Sequence, residues 1–420
     1  MANTYTTYKD SGIPWIGEIP KEWKVRAIKY MFRTSKGLNI TKADLVEQGY
    51  PVISYGQIHS KNNTGTSVKE EMIRFVPEAF IKTNPDCLVS NGSFIFADTS
   101  EDIEGCGNAA YINTINPLFA GYHTVILNPI NQASNKYFAY LFLTDCWRSQ
   151  IRSQVSGIKV FSISQKIINT TSLIIPSSVE QESIANFLDE KCSEIDALIS
   201  LQEKMIDELK AYKQSVITEA VTKGLDRNVK MKDSGVDWIK ECPSHWQIRM
   251  IKSMAELKSG SNLTTYDISE ANKYPVYGGN GLRGYYFEYS NDGDYALIGR
   301  QGALCGNINY AHGRFWATDH CVVCYPKTEY NLYWFGESLR AMNLNQYSLS
   351  SAQPGLSVDR IKKIYMLVPP ICEQEKIASY LDSKCSQIDS LISIKEKKIE
   401  ELKDYKKSLI YEYVTGKKRV

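Results

Sequence analysis

The sequence lacks the short motifs on which many nucleotide-dependent and DNA-modifying enzymes rely. No GxxxxGK[ST] phosphate loop is present, so ATP-driven motor activity is not expected. Neither NPP nor DPP occurs, so the (D/N)PP(Y/F) loop that an amino-methyltransferase needs is missing. The one Pro-Asp pair, Pro85–Asp86, has no acidic-x-Lys after it within several dozen residues, so a nuclease core is not supported. These absences predict a chain with no catalytic chemistry of its own.

Candidate metal ligands are also few. The five histidines show neither HExxH nor HxH spacing, and ten cysteines without a secretion signal are typical of reduced thiols. The single CxxC joins Cys321 and Cys324 inside the strand-like run CVVCY, where a period of two sends the two thiols to opposite faces. No second CxxC exists to complete four zinc ligands. The sequence thus predicts neither a metal nor a cofactor in this chain.

The sequence also has no long apolar run and no marked excess of one charge. No segment approaches eighteen apolar residues, and the opening MANTYTTYKDSG contains no apolar h-region, so we expect a cytoplasmic protein without membrane contact. The formal net charge is +2, so nucleic-acid binding would have to come from local patches. At 420 residues and 43% hydrophobic content, the chain can form two or three domains with buried cores.

What the sequence does contain is a long internal repeat. Residues 180–222 return 193 positions further on as residues 373–415, and the two copies match at 28 of 43 positions without a gap. Prolines stand just upstream of each copy, at Pro176 and at Pro369–Pro370, and no glycine or proline interrupts either copy. This pattern predicts one unbroken helix for each copy.

Apolar residues recur at steps of three and four along both copies, with Glu and Lys on the other face. This seven-residue repeat is typical of a coiled coil, and we expect the two helices to pack on each other. The apolar positions are Leu188, Cys192, Ile195, Ile199, Ile206, Leu209 and Val216, and Leu381, Cys385, Ile388, Ile392, Ile399, Leu402 and Leu409. Polar residues break the pattern at the equivalent positions Gln202 and Lys395, and again at Lys213 and Lys406, where they can fix the register.

A second apolar stripe runs along the helices outside this seam. It contains Leu198, Met205 and Tyr212 in the first copy and Leu391 and Tyr405 in the second. Because the first stripe already serves the helix pair, we expect the second stripe to be free to bind another protein.

A shorter repeat opens each half of the chain. Residues 9–29 recur as residues 232–252, with the same spacing of SG-x-x-W and P-x-x-W. Paired tryptophans around a proline favour a structural clamp, with a binding role as the alternative. The order is therefore motif, variable segment and helix, twice over. Because the two repeats recur at spacings of 223 and 193, the segment between motif and helix is 30 residues longer in the first half.

The variable segments read as mixed α/β structure. Short β-branched and aromatic runs lie between Gly, Asn and Asp turns, and helix-like stretches follow near 135–152 and 332–344. Basic and amide side chains in the turns suit phosphate anchoring and base reading, although a solvated loop face would look the same. Residues 279–284 formally match GxGxxG, but a strand-like run follows them. This favours a tight hairpin, or a close approach of the backbone to a ligand, over a phosphate cradle.

Taken together, the chain resembles the specificity subunits of type I restriction–modification systems over essentially its whole length. The resemblance rests on the paired SG-x-x-W…P-x-x-W fronts and on the paired P-x-x-x-EQ-x-x-I-A helix starts at Pro176 and Pro369. It rests further on YPVYGGNGLRGY at 274–285, LIGRQGALCGNINY at 297–310 and FWATDH at 315–320. The doubled order of these elements is more specific than any one of them.

The resemblance implies an α/β (mixed α+β) architecture with an internal pseudo-two-fold repeat. Two target-recognition domains would be separated by two long helices that form an antiparallel coiled coil. The expected boundaries are 1–178 for the first recognition domain, with its front motif at 8–29, 179–223 for the first spacer helix, 224–371 for the second recognition domain, with its front motif at 231–252, and 372–420 for the second spacer helix.

The resemblance also implies a function and a set of partners. Each recognition domain would read one half of a bipartite, asymmetric double-stranded DNA site. The helices would set the spacer and dock two modification (methyltransferase) subunits, through residues such as Leu198, Met205, Tyr212, Leu391 and Tyr405. The chain would be the non-catalytic subunit of an adenine-methyltransferase/endonuclease complex. S-adenosylmethionine would then belong to the modification subunit, and ATP and Mg²⁺ to restriction subunits that join the complex.

Candidate DNA-binding residues follow from placing the turn residues on this scheme. They are Tyr55, Gln57, Lys61, Asn63 and Lys159 in the first domain, and Tyr277, Asn280, Arg283, Arg300, Gln301 and Gln353 in the second. Residues 98–104 in the first segment carry acidic side chains where the second has Gly-Arg-Gln-Gly. Each candidate could instead be an ordinary turn or sheet residue. A self-sufficient DNA-modifying enzyme and a coiled-coil scaffold are the alternative functions.

Overall fold

The computed structural model describes residues 4–114, 116–131, 136–236, 238–302, 304–348 and 355–420. The chain forms two compact units, residues 1–201 with 398–420 and residues 202–397. The division between the units falls inside two long helices, so each unit contains part of both. Among the described residues, no helix is long and apolar enough to cross a membrane.

The first unit is built from short strands and helices. Its strands are β1 (Tyr8–Asp10), β2 (Glu18–Pro20), β3 (Lys24–Ala27), β4 (Phe32–Lys36), β5 (Tyr50–Ile53), β6 (Arg74–Val76), β7 (Leu88–Val89), β8 (Phe94–Ala97), β9 (Thr99–Ser100), β10 (Ala109–Tyr111), β11 (Leu118–Ala120), β12 (Thr124–Pro129), β13 (Phe161–Ser162) and β14 (Ser172–Ile175). Its helices are α1 (Tyr55–Ile58), α2 (Phe80–Thr83), α3 (Lys136–Leu143), α4 (Asp145–Arg152), α5 (Gln165–Thr170) and the start of α6 (Ser178–Lys223). Short 3₁₀ turns cover Ile28–Tyr30, Lys42–Asp44, Glu70–Met72 and Pro85–Cys87.

The second unit repeats this plan. Its strands are β15 (Met231–Val236), β16 (Ile239–Pro243), β17 (Gln247–Met250), β18 (Ala255–Ser259), β19 (Tyr274–Gly278), β20 (Gly281–Tyr286), β21 (Asn291–Asp292), β22 (Tyr295–Gly299), β23 (Ile308–Ala311), β24 (Arg314–Ala317), β25 (Cys321–Pro326) and β26 (Tyr365–Val368). Its helices are the end of α6, α7 (Ile251–Met254), α8 (Leu332–Ala341), α9 (Val358–Ile361) and most of α10 (Ile371–Val414), with 3₁₀ turns at Thr265–Asp267 and Leu344–Tyr347. The end of α10 belongs to the first unit.

The same sheet topology occurs in both units. One four-stranded sheet has the order β10-β8-β12-β4 in the first unit and β23-β22-β25-β18 in the second, with antiparallel neighbours throughout. The other has the order β6-β5-β11-β7 and β20-β19-β24-β21, and in each a single pair, β5–β11 or β19–β24, runs parallel. The mixed α/β prediction is therefore confirmed, and the internal repeat extends into the segments whose sequences have diverged.

The antiparallel sheet is covered on both faces. Along β8, Phe94 and Phe96 point into the cluster that also contains α3 and α4, whereas Ile95 and Ala97 point into a second cluster with β11. Alternate residues of a strand face opposite sides, so this all-buried strand needs apolar residues at every position. The predicted separation of Cys321 and Cys324 to opposite faces is likewise confirmed, because they join different clusters.

The helices α6 and α10 pack on each other, as the seven-residue repeat predicted, and they run antiparallel, as the family resemblance implied. In the first unit, Leu188 and Cys192 from the start of α6 share a core with Leu409 from the end of α10. In the second unit, Val216 from the end of α6 shares a core with Leu381 from the start of α10. Each unit thus holds the beginning of one helix against the end of the other.

Ion pairs between the two helices fix this register. Lys406 Nζ lies 2.7 Å from both carboxylate oxygens of Asp196, and Lys213 Nζ lies 2.7 Å from both oxygens of Asp389. The two pairs occupy equivalent positions of the repeat, one in each unit. Exposed pairs contribute only about 0–1 kcal/mol each. Their main effect is therefore to disfavour shifted alignments, in which the lysines would lose these partners.

The front motifs form a structural clamp, and the second tryptophan of each motif makes its contact at the start of a long helix. Trp23 is buried, and its indole Nε1 donates to Glu180 Oε2 at 3.0 Å in the first turn of α6. Trp246 is buried in the same way, and its Nε1 donates to Glu373 Oε2 at 2.9 Å. A first-turn carboxylate also interacts favourably with the helix dipole. The clamp therefore anchors each front motif to a helix N-terminus.

The remaining oxygen of each glutamate has a different partner. Tyr5 donates its hydroxyl to Glu180, and burial, reinforced by this carboxylate, raises the pKa of Tyr5 and keeps it a donor. In the second unit, His245 Nε2 lies 2.7 Å from Glu373 Oε1. The clamp is thus common to both halves, while its outer contact has diverged.

We predict that Trp23→Phe lowers the free energy of unfolding of the first unit by about 1.5–3 kcal/mol, since it removes a hydrogen bond to a charged group. Hydrogen exchange of the α6 amides near Glu180, together with chemical denaturation, would measure the loss. Trp15→Phe is the matched control, because Trp15 is 45% exposed. Equal losses in the two variants would contradict the clamp.

Candidate nucleic-acid interface

Each unit gathers polar side chains in loops at one end of its antiparallel sheet. In the first unit, Asp98 lies just after β8, and its backbone N–H donates to the carbonyl of His123 at 3.1 Å. In the second unit, Arg300 lies just after β22, and its backbone N–H donates to the carbonyl of His320 at 2.8 Å. The carbonyls of Asp98 and Arg300 also accept equivalent bonds, from residues 163 and 356 at 2.7 and 2.9 Å. Asp98 and Arg300 therefore occupy the same place in the repeated fold.

We call these groups the first and second loop clusters. The first contains Tyr55, His59, Asp98, Asn108, Tyr122 and His123, and the second contains Asn280, Arg283, Arg300, Gln301, Asn307 and His320. Of the candidates from the sequence, Tyr55, Asn280, Arg283, Arg300 and Gln301 fall in the clusters, and Gln353 lies outside the described residues.

Tyr55 lies among the aromatic rings of the first loop cluster. It begins α1, and its ring centroid is 5.6 Å from that of Tyr122 and 5.4 Å from that of His123, in edge-on contacts. Burial raises the pKa of Tyr122, which keeps its phenol a donor. This half-buried group presents flat faces and hydroxyls, the features that contact base edges and sugars.

His59 ties α1 to the strand that follows Asp98. Its Nε2 lies 2.8 Å from the carbonyl of Thr99, which can only accept, so Nε2 carries the proton. Its Nδ1 lies 3.1 Å from Nδ2 of Asn108, which can donate to it. Both ring nitrogens are therefore used in the framework of the cluster.

Two amide candidates are engaged in the same framework. Gln57 Oε1 accepts from the backbone N–H of Ser54 at 3.1 Å and completes the capping box of α1. Asn63 Nδ2 donates to the carbonyl of Ile58 at 2.8 Å and to that of Ala109 at 3.0 Å. The structure therefore gives both side chains a folding role in the loop after β5.

The two lysine candidates of the first unit are exposed. Lys61 lies three residues beyond the end of α1, and Lys159 lies in the loop between α4 and β13. Because β13 pairs with β9 immediately after Asp98, this loop runs beside the first cluster. Ile158 next to Lys159 is 98% exposed. The free ammonium groups are available to contact phosphates.

Glycines bring the β19–β20 hairpin against the second cluster. A Cβ on Gly299 would lie 1.9 Å from the carbonyl oxygen of Gly279, a distance no side chain can occupy. Gly281 has φ +97°, which favours glycine, and opens β20. The hairpin predicted for residues 279–284 is confirmed, since β20 pairs antiparallel with β19.

The hairpin presents its polar side chains beside β22. Exposed Asn280 accepts from Asn307 Nδ2 at 3.1 Å, while half-buried Arg300 donates from Nη1 to Ser259 Oγ at 3.3 Å. Arg283 is exposed, and its methylene groups lie over Gly278. A Cβ added to Gly278 would lie 2.4 Å from Arg283 Cδ. The second cluster is therefore rich in hydrogen-bond donors.

The other two second-unit candidates differ in accessibility. Gln301 is exposed, and its backbone bridges to Gly355. Tyr277 packs edge-on against Phe315 with centroids 5.7 Å apart, and burial raises its pKa. The Tyr277 ring therefore supports the hairpin, while Gln301 faces solvent.

Several cluster residues were not among the sequence candidates. They are His59, Asp98, Asn108, Tyr122, His123, Asn307 and His320. The signal that could have found them is weak: a histidine directly precedes the central strand in both halves, in GYHT and in TDHC.

Exposed apolar residues lie along both long helices. In the first unit, Leu198 is 47% and Tyr405 58% exposed; in the second, Tyr212 is 56% and Leu391 47% exposed. Met205 is half-buried. The second apolar stripe is thus accessible, whereas the first is enclosed.

The described residues contain no cluster of side chains arranged to bind a metal ion. No group of three or more His, Cys, Asp or Glu side chains in those ranges is positioned to hold an ion. Burial raises the pKa of Cys321 to about 12 and keeps that thiol protonated.

A protein-family model described as the type I restriction modification DNA specificity domain matches residues 20–211 and 243–404. The chain belongs to this family. The two matched segments correspond to the two repeated halves, each with its recognition sheets and part of a long helix. The family assignment thus agrees with the duplicated architecture.

Curated relatives carry the same description. The type I restriction enzyme EcoprrI specificity subunit of Escherichia coli is 30% identical over 287 residues, which cover 65% of this chain and 71% of the relative. The MjaIX specificity subunit of Methanocaldococcus jannaschii is 23% identical and covers 99% of this chain and 97% of the relative. Both are named as specificity subunits of this family.

Solved structures share the fold. A chain from a type I R-M system, described for its complex assembly and conformational transition, aligns with a TM-score of 0.71 and 14% identity, over 95% of this chain and 99% of that one. The HsdS subunit from Thermoanaerobacter tengcongensis aligns with a TM-score of 0.52 and 14% identity, over 95% and 98%. At this identity the likeness establishes the fold of the family alone.

Proposed function

We propose that the chain is the sequence-specific DNA-recognition subunit of a type I restriction–modification complex, and that each half reads one part of a bipartite, asymmetric site. The observation that supports this best is a duplicated scaffold with different loop clusters. Identical backbone positions carry Asp98 in one cluster and Arg300 in the other. Two copies of one scaffold with different polar side chains suit the reading of two different sequences.

Contacts to DNA would divide by chemistry. Exposed Lys61, Lys159 and Arg283 suit phosphates, which set position and orientation but carry little sequence information. Asn280, Arg300, Gln301 and Tyr55 suit base edges, at roughly 1–3 kcal/mol of discrimination for each good pair. The sequence-based set also includes Gln57, Asn63 and Tyr277, whose side chains are engaged within the fold and would support the contact loops, and Gln353, which lies outside the described residues.

The helices would act as a spacer between two weak readers. Domain boundaries at 1–178, 179–223, 224–371 and 372–420 are part of this proposal. Linking two binding modules raises the effective concentration of the second once the first is bound. Neither recognition domain then needs to bind tightly alone, and the length of the unspecified gap follows from the helices.

Catalysis would come from partner subunits. The exposed stripe of Leu198, Met205, Tyr212, Leu391 and Tyr405 would dock two modification subunits that carry S-adenosylmethionine and methylate adenine. Restriction subunits with ATP and Mg²⁺ would supply cleavage. The chain itself would supply no catalytic group or cofactor.

The direct test is co-expression of the chain with a candidate modification subunit from the same genome, followed by genome-wide mapping of methylated adenines by long-read sequencing. We expect a split motif of two short blocks around a fixed gap. A continuous palindrome, or no methylation with an active partner, would contradict the proposal. Methylation by the purified chain alone would identify a self-sufficient enzyme instead.

We predict that inserting four helical residues near the middle of α6 lengthens the unspecified gap and leaves both blocks unchanged. Four residues add about 6 Å of helix, which is near the rise of two base pairs. The same methylation map measures the gap. Altered block sequences would show that the helices do more than set a distance.

We predict that Leu391→Asp weakens binding of a modification subunit about 100-fold or more, because an unpaired carboxylate would be buried in the apolar contact. Native mass spectrometry of the co-expressed complex would measure the subunit ratio, and combining Leu391→Asp with Leu198→Asp would remove both subunits. The control is Ser393→Asp, which adds the same charge two residues further along, on a different face of α10. Equal effects of Leu391→Asp and Ser393→Asp would exclude the stripe as the docking surface.

A further inference from the structure

Asp98 stands where the second unit has an arginine. Its backbone N–H donates to the carbonyl of His123 at 3.1 Å, and its carbonyl accepts from the N–H of Ile163 at 2.7 Å. The backbone of Arg300 makes the equivalent two bonds in the second unit. The backbone is therefore fixed in both units, while the side chains differ in charge. The Asp98 side chain is 34% exposed at the open end of the sheet.

His123 is held beside Asp98 in an uncommon conformation. Its φ is +54°, in the left-handed region that few residues other than glycine adopt. The carbonyl that receives the Asp98 N–H fixes this turn, and Tyr55 N–H donates to the neighbouring carbonyl of Tyr122 at 3.3 Å. Strained backbone of this kind persists where the surroundings impose it, and it concentrates at functional sites.

The side chains of this pair present hydrogen-bond acceptors. His123 Nδ1 lies 3.2 Å from Asp98 Oδ1, so the ring donates to the carboxylate. In the neutral ring, Nε2 is then an acceptor, and the carboxylate oxygens can accept further bonds. The His123 side chain is 58% exposed, so this edge is open to a ligand.

Base edges supply the matching donors. In the major groove, cytosine presents its N4 amino group and adenine its N6 amino group, and aspartate accepts from cytosine N4. Guanine instead presents two acceptors, O6 and N7, which arginine contacts in a bidentate manner. The same backbone position therefore carries an acceptor in the first unit and a donor in the second.

We propose that Asp98, oriented by His123, reads the amino group of a cytosine or an adenine in one block of the site, and that Arg300 reads a guanine in the other. This inference rests on the proposed function. It adds Asp98 as a specificity-determining residue and His123 as a positioning residue. Asp98 and Arg300 are each assigned to one base position, in different blocks of the site.

The test measures methylation rates of the assembled complex, chain plus modification subunit. The substrates are a panel of duplexes in which each base pair of both blocks is replaced in turn. Asp98→Asn keeps the shape but replaces one acceptor oxygen with a donor. We expect it to lower the rate on the original duplex roughly 10- to 100-fold and to relax one position of one block that required cytosine or adenine.

Three further variants make the result specific. Asp98→Glu keeps the carboxylate and should retain the cytosine or adenine preference. His123→Gly keeps the backbone conformation and should relax the same position as Asp98→Asn. Arg300→Gln should relax one guanine of the other block only. The duplex panel also shows which base the wild type requires at the position that Asp98 reads, and so decides between cytosine and adenine.

The matched control is Asp294→Asn. Asp294 Oδ1 lies 3.1 Å from His312 Nδ1, so it forms the same kind of exposed pair, but at the opposite end of β22 from Arg300. We expect wild-type base preferences from this variant. An unchanged panel for Asp98→Asn, or an equal loss on every duplex, would overturn the proposal. Absence of any bipartite motif in the wild type would overturn the proposed function instead.

Discussion

The antiparallel pairing of two copies of one helix constrains everything else in this chain. When a helix pairs with its own repeat, each cross-helix contact must occur twice with the roles exchanged. Lys213 with Asp389 in one unit and Lys406 with Asp196 in the other meet this requirement at 2.7 Å. The seam therefore needs a single self-complementary sequence, and this accounts for 28 identities in 43 positions.

The same constraint explains where the recognition domains attach. Each unit contains one helix start, and there the front motif donates a buried indole N–H to a first-turn glutamate. This contact satisfies a buried polar group and the positive end of the helix at once. It is also local, since a variable segment can change without disturbing it. The outer partners of the two glutamates, Tyr5 and His245, show that even the clamp tolerates divergence away from the tryptophan.

Local and periodic features were predictable from the sequence, and features assembled from distant segments were not. The long helices and the glycine hairpin follow from spacing within about 45 residues. The front-motif pattern predicted a structural clamp but not its partner, because Trp23 and Glu180 are 157 residues apart. The loop clusters depend on backbone bonds among residues near 98, 123 and 163, and no sequence period reports them. For the same reason Asn63 looked like a free amide in a turn, although its donors bond two carbonyls, one of them 46 residues away.

At the ends of β8 and β22, backbone hydrogen bonds hold the fold, and the side chains are left to differ between the two units. At Asp98 and Arg300 the backbone N–H and carbonyl are bonded to neighbouring segments, so these framework bonds do not depend on which side chain stands at that position. A change of side chain there leaves these backbone bonds in place, whereas a good base contact is worth roughly 1–3 kcal/mol of discrimination. His123 marks the limit of this freedom, because its left-handed backbone restricts which residues can occupy position 123 without strain. A scaffold of this kind can acquire a new base preference by single substitutions while its core and its helix contacts stay intact.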